Sequence, residues 1–260
     1  MSPAFRQSLA MRMKQLLVAS MFVMAAGTLH AQDLAKVCHA TSSYDLTVEP
    51  DRLVFDRAAP APTRVVLSHG TLQTDGQSVR LNDEDQDRLD LFQQDLRALM
   101  PRVKAVAQHG VGLTIQAIQD ESGSLSLDAD TRAELDRRLS AQSAELRQRI
   151  ATSQSTHDWH GDAADQYANQ VIGDIAPLLA SALGQQAVNA AMSGDLQQAA
   201  ELRDRATNLA TGFQPRLQQR LQVLRPEIQA LCPAIQRLSE LQLGIRASNG
   251  RPLNLVQIGQ

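Results

Sequence analysis

Aromatic residues are scarce in this sequence, where they make up 3% of 260 residues. Leu, Ile, Val and Ala must therefore supply most of any buried core. The sequence also lacks a P-loop, a G-x-G-x-x-G turn and a G-x-S-x-G nucleophile elbow. These absences argue against nucleotide cofactors and against an α/β-hydrolase, and no cofactor is expected.

Long hydrophobic runs are missing too, and the N-terminus holds a short one. Residues 16–27 form an apolar run of 12 residues, shorter than the roughly 20 that a membrane-spanning helix needs. Basic residues precede it, and the small residue Ala31 stands before Gln32. This order is typical of a secretory signal peptide over residues 1–31, cleaved between Ala31 and Gln32. An uncleaved membrane anchor is the alternative.

Removal of this segment makes the working protein more acidic. Residues 1–31 carry three of the 25 basic and none of the 28 acidic residues, which leaves 22 basic against 28 acidic side chains, a net charge of −6. A mildly acidic protein is a poor candidate for binding nucleic acid. Translation from Met1, Met11 or Met13 would each retain the signal, and the mature chain is expected to have no transmembrane span.

Cysteine is nearly absent, because Cys38 and Cys232 are the only two. Exported proteins form disulfides, so an even number of cysteines favours a Cys38–Cys232 bridge. Two buried free thiols or a bridge between chains are the alternatives. No C-x-x-C spacing occurs, which argues against a redox role.

Residues 38–81 have the pattern of a small antiparallel sheet. Short runs rich in Val, Leu and Thr are separated by turn residues. Asp75-Gly76 lies between two such runs, and this pair favours a hairpin because both positions tolerate a positive φ. We predict a three- or four-stranded antiparallel β-meander.

From residue 82 to about residue 250, apolar residues recur every three or four positions, as in amphipathic helices. Asn82 and the acids after it favour a helix start, and Pro101 predicts a break or kink near Met100. Further helices are expected from Asp130 and from about Asp165 to Met192. Residues 253–258 alternate in polarity and are a candidate final strand.

The fold class predicted is α+β, mainly α: a short N-terminal antiparallel β-meander followed by a bundle of long amphipathic helices, in a single mature domain of residues 32–260. The last helical stretch, residues 202–241, has the clearest period, but Pro215, Pro226 and Pro233 must kink or divide it. The thin apolar stripe of residues 135–150 belongs either to the core or to a groove for a partner helix.

Short motifs follow one another in a defined order through most of the mature chain. They are Cys38 and residues 70–72, 75–76, 79–81, 96–111 and 231–233. In this order the chain resembles the YggN-like proteins, a periplasmic group of unknown function from proteobacteria. The resemblance implies a periplasmic location and a pairing of the two cysteines, and it implies no activity.

Residues 157–162 are the strongest candidate for chemistry. His157 and His160 are three positions apart, so they could share a helix face and bind a metal with Asp158, Asp162 or Asp165 as the third ligand. The alternative is a polar surface loop in which Asp162 caps the next helix. His69 and His109 could act as general bases, but the sequence identifies no nucleophile beside them.

The sequence therefore favours a periplasmic, non-catalytic binding or envelope-associated protein, and no catalytic residue is assigned. The alternative function is a metal-dependent periplasmic enzyme that uses His157 and His160. The partner would be another envelope protein or a second copy of the chain, and the sequence identifies neither. A disulfide-tied scaffold within a larger assembly is a third interpretation.

Overall fold

The computed structural model describes residues 36–259 except 124, 126, 160 and 161, and it describes their side chains except for 162–172, 176, 203 and 205–214. The predicted signal peptide and the predicted cleavage site between Ala31 and Gln32 lie outside these residues. The chain folds into two compact units. The sheet unit comprises the described residues of Leu29–Gly110, Gln148–His160 and Leu224–Gln260, and the helical unit comprises those of Val111–Arg147 and Gly161–Val223.

The sheet unit contains the predicted antiparallel meander. Its strands are β2 (Asp45–Val48), β3 (Leu53–Asp56), β4 (Arg64–Ser68), β5 (Thr71–Thr74) and β6 (Gln77–Val79), and they pair in chain order. The sheet has five strands, one more than the upper number expected, and Asp75-Gly76 forms the predicted turn between β5 and β6. Both turn residues have a positive φ, as the hairpin requires. A separate pair joins β1 (Ala40–Thr41) to β7 (Gln257–Ile258).

Helix α1 (Asp83–Gly123) begins where the sequence predicts, and the side chain of Asn82 accepts a hydrogen bond from the backbone N–H of Asp85 at 2.7 Å. Of the break or kink predicted near Met100, the break does not occur, because the helix continues through Pro101. On the sheet side of α1, Leu89, Phe92, Leu96 and Leu99 are all buried, and the Phe92 ring lies 6.2 Å from that of Phe55. This tertiary packing offsets the poor helix propensity of proline.

Two short helices complete the sheet unit, α5 (Arg225–Gln229) and α6 (Cys232–Leu241). Pro226 and Pro233 lie in their first turns, where a missing N–H costs little, so these prolines divide the long helical stretch. Cys38 is bonded to Cys232 in a disulfide, as predicted.

The predicted final strand is shorter than expected. Within residues 253–258, the strand β7 takes only Gln257–Ile258, while Leu253 and Leu255 are buried in the core. The side chain of Gln242 orders the segment before β7, because its Oε1 accepts the backbone N–H of Leu255 at 2.6 Å. A buried polar side chain holds this chain end in place.

The helical unit contains α3 (Asp162–Met192), α4 (Leu196–Leu221) and parts of α1 and α2 (Ala129–Thr152). Leu135 and Leu139 of the thin stripe are fully buried and pack with Leu125, Leu127 and Ile175, so this part of the stripe belongs to the core. Pro177 and Pro215 lie inside continuous helices. Asp195 caps α4, because its side chain accepts the backbone N–H of Gln198 at 2.8 Å.

None of the helices among the described residues is both long enough and apolar enough to cross a membrane. The mainly helical α+β class is confirmed. The single mature domain of residues 32–260 stays a prediction, since the described residues form two compact units.

Candidate functional site

The sheet unit contains an open cleft of about 240 Å³. It is lined by three segments far apart in sequence: the end of β2 and the turn after it, one face of α1, and the chain that follows α2. The lining residues are Val48, Glu49, Pro50, Arg97, Met100, Lys104, Ser153 and Gln154. This volume is below the roughly 300–1,000 Å³ of clefts for drug-sized ligands, so only a smaller molecule would fit.

The α1 face of the cleft carries Arg97, Met100 and Lys104. Met100 is three residues and Lys104 is seven residues after Arg97, so the three side chains share one face of a helix with 3.6 residues per turn. The two cations lie on either side of the methionine. The periodicity of α1 thus directs two positive charges toward the cleft.

Main-chain carbonyls hold the guanidinium of Arg97. Its Nη2 donates to the backbone oxygen of Glu49 at 2.5 Å and to that of Arg52 at 3.1 Å. Both carbonyls belong to the β2–β3 turn. A guanidinium has five N–H donors, so Nε and Nη1 are left with donor capacity beyond these two bonds.

Lys104 is held in a similar way on another wall. Its Nζ donates to the backbone oxygen of Ala151 at 2.8 Å, in the last turn of α2. Cations favour helix C-termini, where carbonyl oxygens lack helical partners. An ammonium group carries three N–H donors, so Lys104 also has capacity for a further acceptor.

The electrostatics of the cleft are positive, in contrast to the negative charge of the whole chain. Within the part of the chain that the structure describes, neither Arg97 nor Lys104 forms an ion pair with a carboxylate. The one acid in the lining, Glu49, is paired with Arg52, whose Nε lies 2.6 Å from Glu49 Oε2. Two cations in the lining therefore lack a carboxylate partner there.

A polar network borders the cleft at Ser153. The Nε1 of Trp159 donates to Ser153 Oγ at 2.9 Å, and this hydroxyl in turn lies 3.1 Å from Asp158 Oδ2. Trp159 is the only tryptophan in the sequence and ends the 3₁₀ helix Thr156–Trp159. A displacement of Ser153 in the cleft lining would therefore alter the hydrogen bond of the Trp159 indole.

The structure describes the side chain of only one of the two predicted histidine ligands, His157. His157 is exposed, and its Nδ1 lies 3.4 Å from Asp45 Oδ2. His160 lies outside the described residues, and although Asp162 begins α3, its side chain is likewise outside them. Among the residues that are described, no three His, Cys, Asp or Glu side chains group as metal ligands. The metal hypothesis for His157 and His160 stays a prediction.

His69 and His109, which were considered as general bases, each lie within hydrogen-bonding distance of another side chain. His69 Nδ1 lies 3.1 Å from Ser68 Oγ, and the sequence around Ser68 has no G-x-S-x-G pattern that would have predicted this pair. The same hydroxyl donates to the backbone oxygen of Asp51, so it ties two turns together. His109 Nδ1 lies 2.8 Å from Glu227 Oε1 on the surface. Both rings therefore have a side-chain partner.

The comparison with protein families covers nearly the whole described chain. Residues 38–256 match the family model DUF2884, whose description is "protein of unknown function". The chain belongs to the DUF2884 family. No curated protein and no solved structure matches this DUF2884 member. The match begins at Cys38 and ends at Val256, so it includes every residue of the cleft lining.

Sequence reasoning did not identify the cleft in this DUF2884 protein. The spacing of Arg97, Met100 and Lys104 was a visible signal, and Lys104 is one of only two lysines after residue 31. The carbonyl groups that hold the two cations were not predictable, because they belong to backbone segments about 50 residues away in sequence.

Proposed function

We propose that this protein is an exported, non-catalytic binding protein of the periplasm, and that the cleft of the sheet unit holds its ligand. One observation carries the proposal. Two cations of the cleft lining are held by carbonyl groups of two different chain segments and still have free N–H donors. Donors that are ordered before binding lose little conformational entropy when a ligand arrives.

The mixed character of the lining supports a binding role. Val48, Pro50 and Met100 offer apolar surface, while Arg97 and Lys104 offer charged donors. Small-molecule sites combine an apolar lining with a few polar groups that orient the ligand. A nucleophile with a neighbouring base would be the sign of covalent catalysis, and the lining residues include no such pair.

Export is supported by the sequence and by the disulfide. The basic and apolar segments of residues 1–31 have the order of a signal peptide, and the resemblance to YggN-like proteins points to the periplasm. A disulfide between Cys38 and Cys232 suits an oxidising compartment, since cytosolic thiols are kept reduced. N-terminal sequencing of the protein from the cell envelope tests cleavage between Ala31 and Gln32.

Native mass spectrometry tests the binding function. The protein would be purified from the periplasm of its native host without denaturation. We expect an adduct of small-molecule mass that is lost when the charges of Arg97 and Lys104 are removed by substitution with Gln and Met. A bare mass for the unaltered protein, or an adduct that persists in the double variant, would contradict the proposed site.

A further inference from the structure

The cleft lining also indicates the chemical class of its ligand. We infer that its ligand is a small dicarboxylate, with one carboxylate bonded to Arg97 and the other to Lys104. This inference rests on the proposed function, because it names the chemical class that the same cleft would bind.

The first argument concerns charge. Arg97 and Lys104 are both partly buried. Removing a cation from water costs free energy unless a counter-charge or hydrogen bonds compensate it. The carbonyl bonds satisfy some donors but supply no negative charge, and Glu49 is already paired with Arg52. Two carboxylates would supply the missing counter-charge and accept the remaining N–H donors.

The second argument concerns spacing. Seven residues separate Arg97 from Lys104 on α1, which places their Cα atoms about 10 Å apart at 1.5 Å per residue. Their cationic groups are bonded to different walls, one to the β2–β3 turn and the other to the end of α2. The two cationic groups are therefore bonded to two different segments of the chain. Two acidic groups on one molecule match this arrangement.

The third argument concerns what lies between the two charges. Met100 separates Arg97 from Lys104 on α1, and Val48 and Pro50 line the cleft as well. These side chains favour methylene groups over further polar atoms. The volume of about 240 Å³ limits the ligand to a small molecule. A short aliphatic chain with a carboxylate at each end fits all three features.

The experiment titrates the folded mature protein with glutarate, adipate and pimelate, and compares each with butyrate, inorganic phosphate and neutral adipamide. Calorimetry gives the affinities, and Trp159 fluorescence reports binding through Ser153. We expect at least one dicarboxylate to bind about tenfold or more tightly than butyrate, since a hydrogen bond to a charged group contributes about 1.5–3 kcal/mol. Phosphate and adipamide should bind more weakly than that dicarboxylate.

Variants assign the two contacts. Arg97→Gln and Lys104→Met should each lower dicarboxylate affinity about tenfold, toward the level of butyrate. Arg97→Lys keeps the charge and should retain part of the affinity. Arg102→Gln is the matched control, because Arg102 belongs to α1 as well but lies outside the cleft lining. Its Nη2 also donates to a backbone oxygen, that of Ala230, at 2.6 Å. Arg102→Gln should leave the affinity unchanged.

The results separate this inference from the proposed function. If adipamide or phosphate binds as tightly as any dicarboxylate, and Lys104→Met abolishes that binding, the cleft is a binding site of another class and the dicarboxylate inference fails alone. If no probe binds and the native protein carries no adduct, both fail. Equal losses in Arg102→Gln and Lys104→Met would also overturn the assignment, because the effect would then be structural.

Discussion

A Cβ atom added to Gly70 would lie 2.8 Å from the backbone oxygen of Gln86. Gly70 lies in the turn between β4 and β5, and Gln86 lies in the first turns of α1. Gly70 also has a φ of +71°, where side chains are rarely accommodated. The close approach of the turn to α1 therefore depends on this glycine.

We predict that Gly70→Ala lowers the free energy of unfolding by more than about 2 kcal/mol, because backbone strain and overpacking each contribute 1 kcal/mol or more. Gly76→Ala is the matched control. Its φ is +78°, but an added Cβ meets nothing within 4 Å, so we expect a loss of about 1 kcal/mol. Urea unfolding followed by Trp159 fluorescence measures both, and equal losses would refute the steric argument.

The disulfide gives a second prediction. Cys38 and Cys232 are 194 residues apart in sequence, and both belong to the sheet unit. The bridge restricts the unfolded chain, so the double variant Cys38→Ser/Cys232→Ser should lose about 2–5 kcal/mol of unfolding free energy. Trp159 fluorescence in urea is the measurement. The unaltered protein in a strong reductant should approach the variant, and a variant as stable as the oxidised protein would contradict the prediction.

Local patterns in the sequence predicted the elements better than their arrangement. Asp75-Gly76 predicted the β5–β6 hairpin, and Asn82 predicted the start of α1, because both depend on neighbouring backbone groups. Pro101 did not break α1, because the burial of Leu96 and Leu99 keeps this helix continuous. Helical periodicity shows which side chains share a face, but it does not show which distant segment covers that face. The cleft depends on such distant contacts, and the sequence therefore did not reveal it.

The core of the helical unit gives a third prediction. Leu139 is fully buried and belongs to the cluster around Ile175. Leu139→Ala removes apolar contacts and leaves a cavity, so it should cost about 2–5 kcal/mol. Leu196→Ala is the control in the same unit, because Leu196 is 75% exposed. Circular dichroism during urea unfolding measures both, and a loss for Leu139→Ala no larger than that for Leu196→Ala would contradict the role of Leu139 in the core.

Acid conditions should weaken one surface cluster on α2. Arg137 and Arg138 donate hydrogen bonds to Glu134, with N–O distances of 2.7–2.8 Å, and they lower the pKa of this carboxyl from 4.5 to about 2. The pKa is thus lower in the folded state than in the unfolded state. The cluster's contribution to stability is full above about pH 4.5 and is lost as the pH falls toward about 2.

NMR titration of the Glu134 side-chain carboxyl measures this pKa directly. Thermal unfolding of Glu134→Gln supplies the energetic test, because glutamine cannot gain or lose the proton. The unaltered protein should be the more stable of the two at pH 6, and the difference should shrink as the pH approaches the folded-state pKa. Glu145→Gln on the same helix is the control variant, because no ion pair with Glu145 occurs among the described residues. A Glu134 carboxyl that titrates near its ordinary value would show that the two arginines do not hold it in solution.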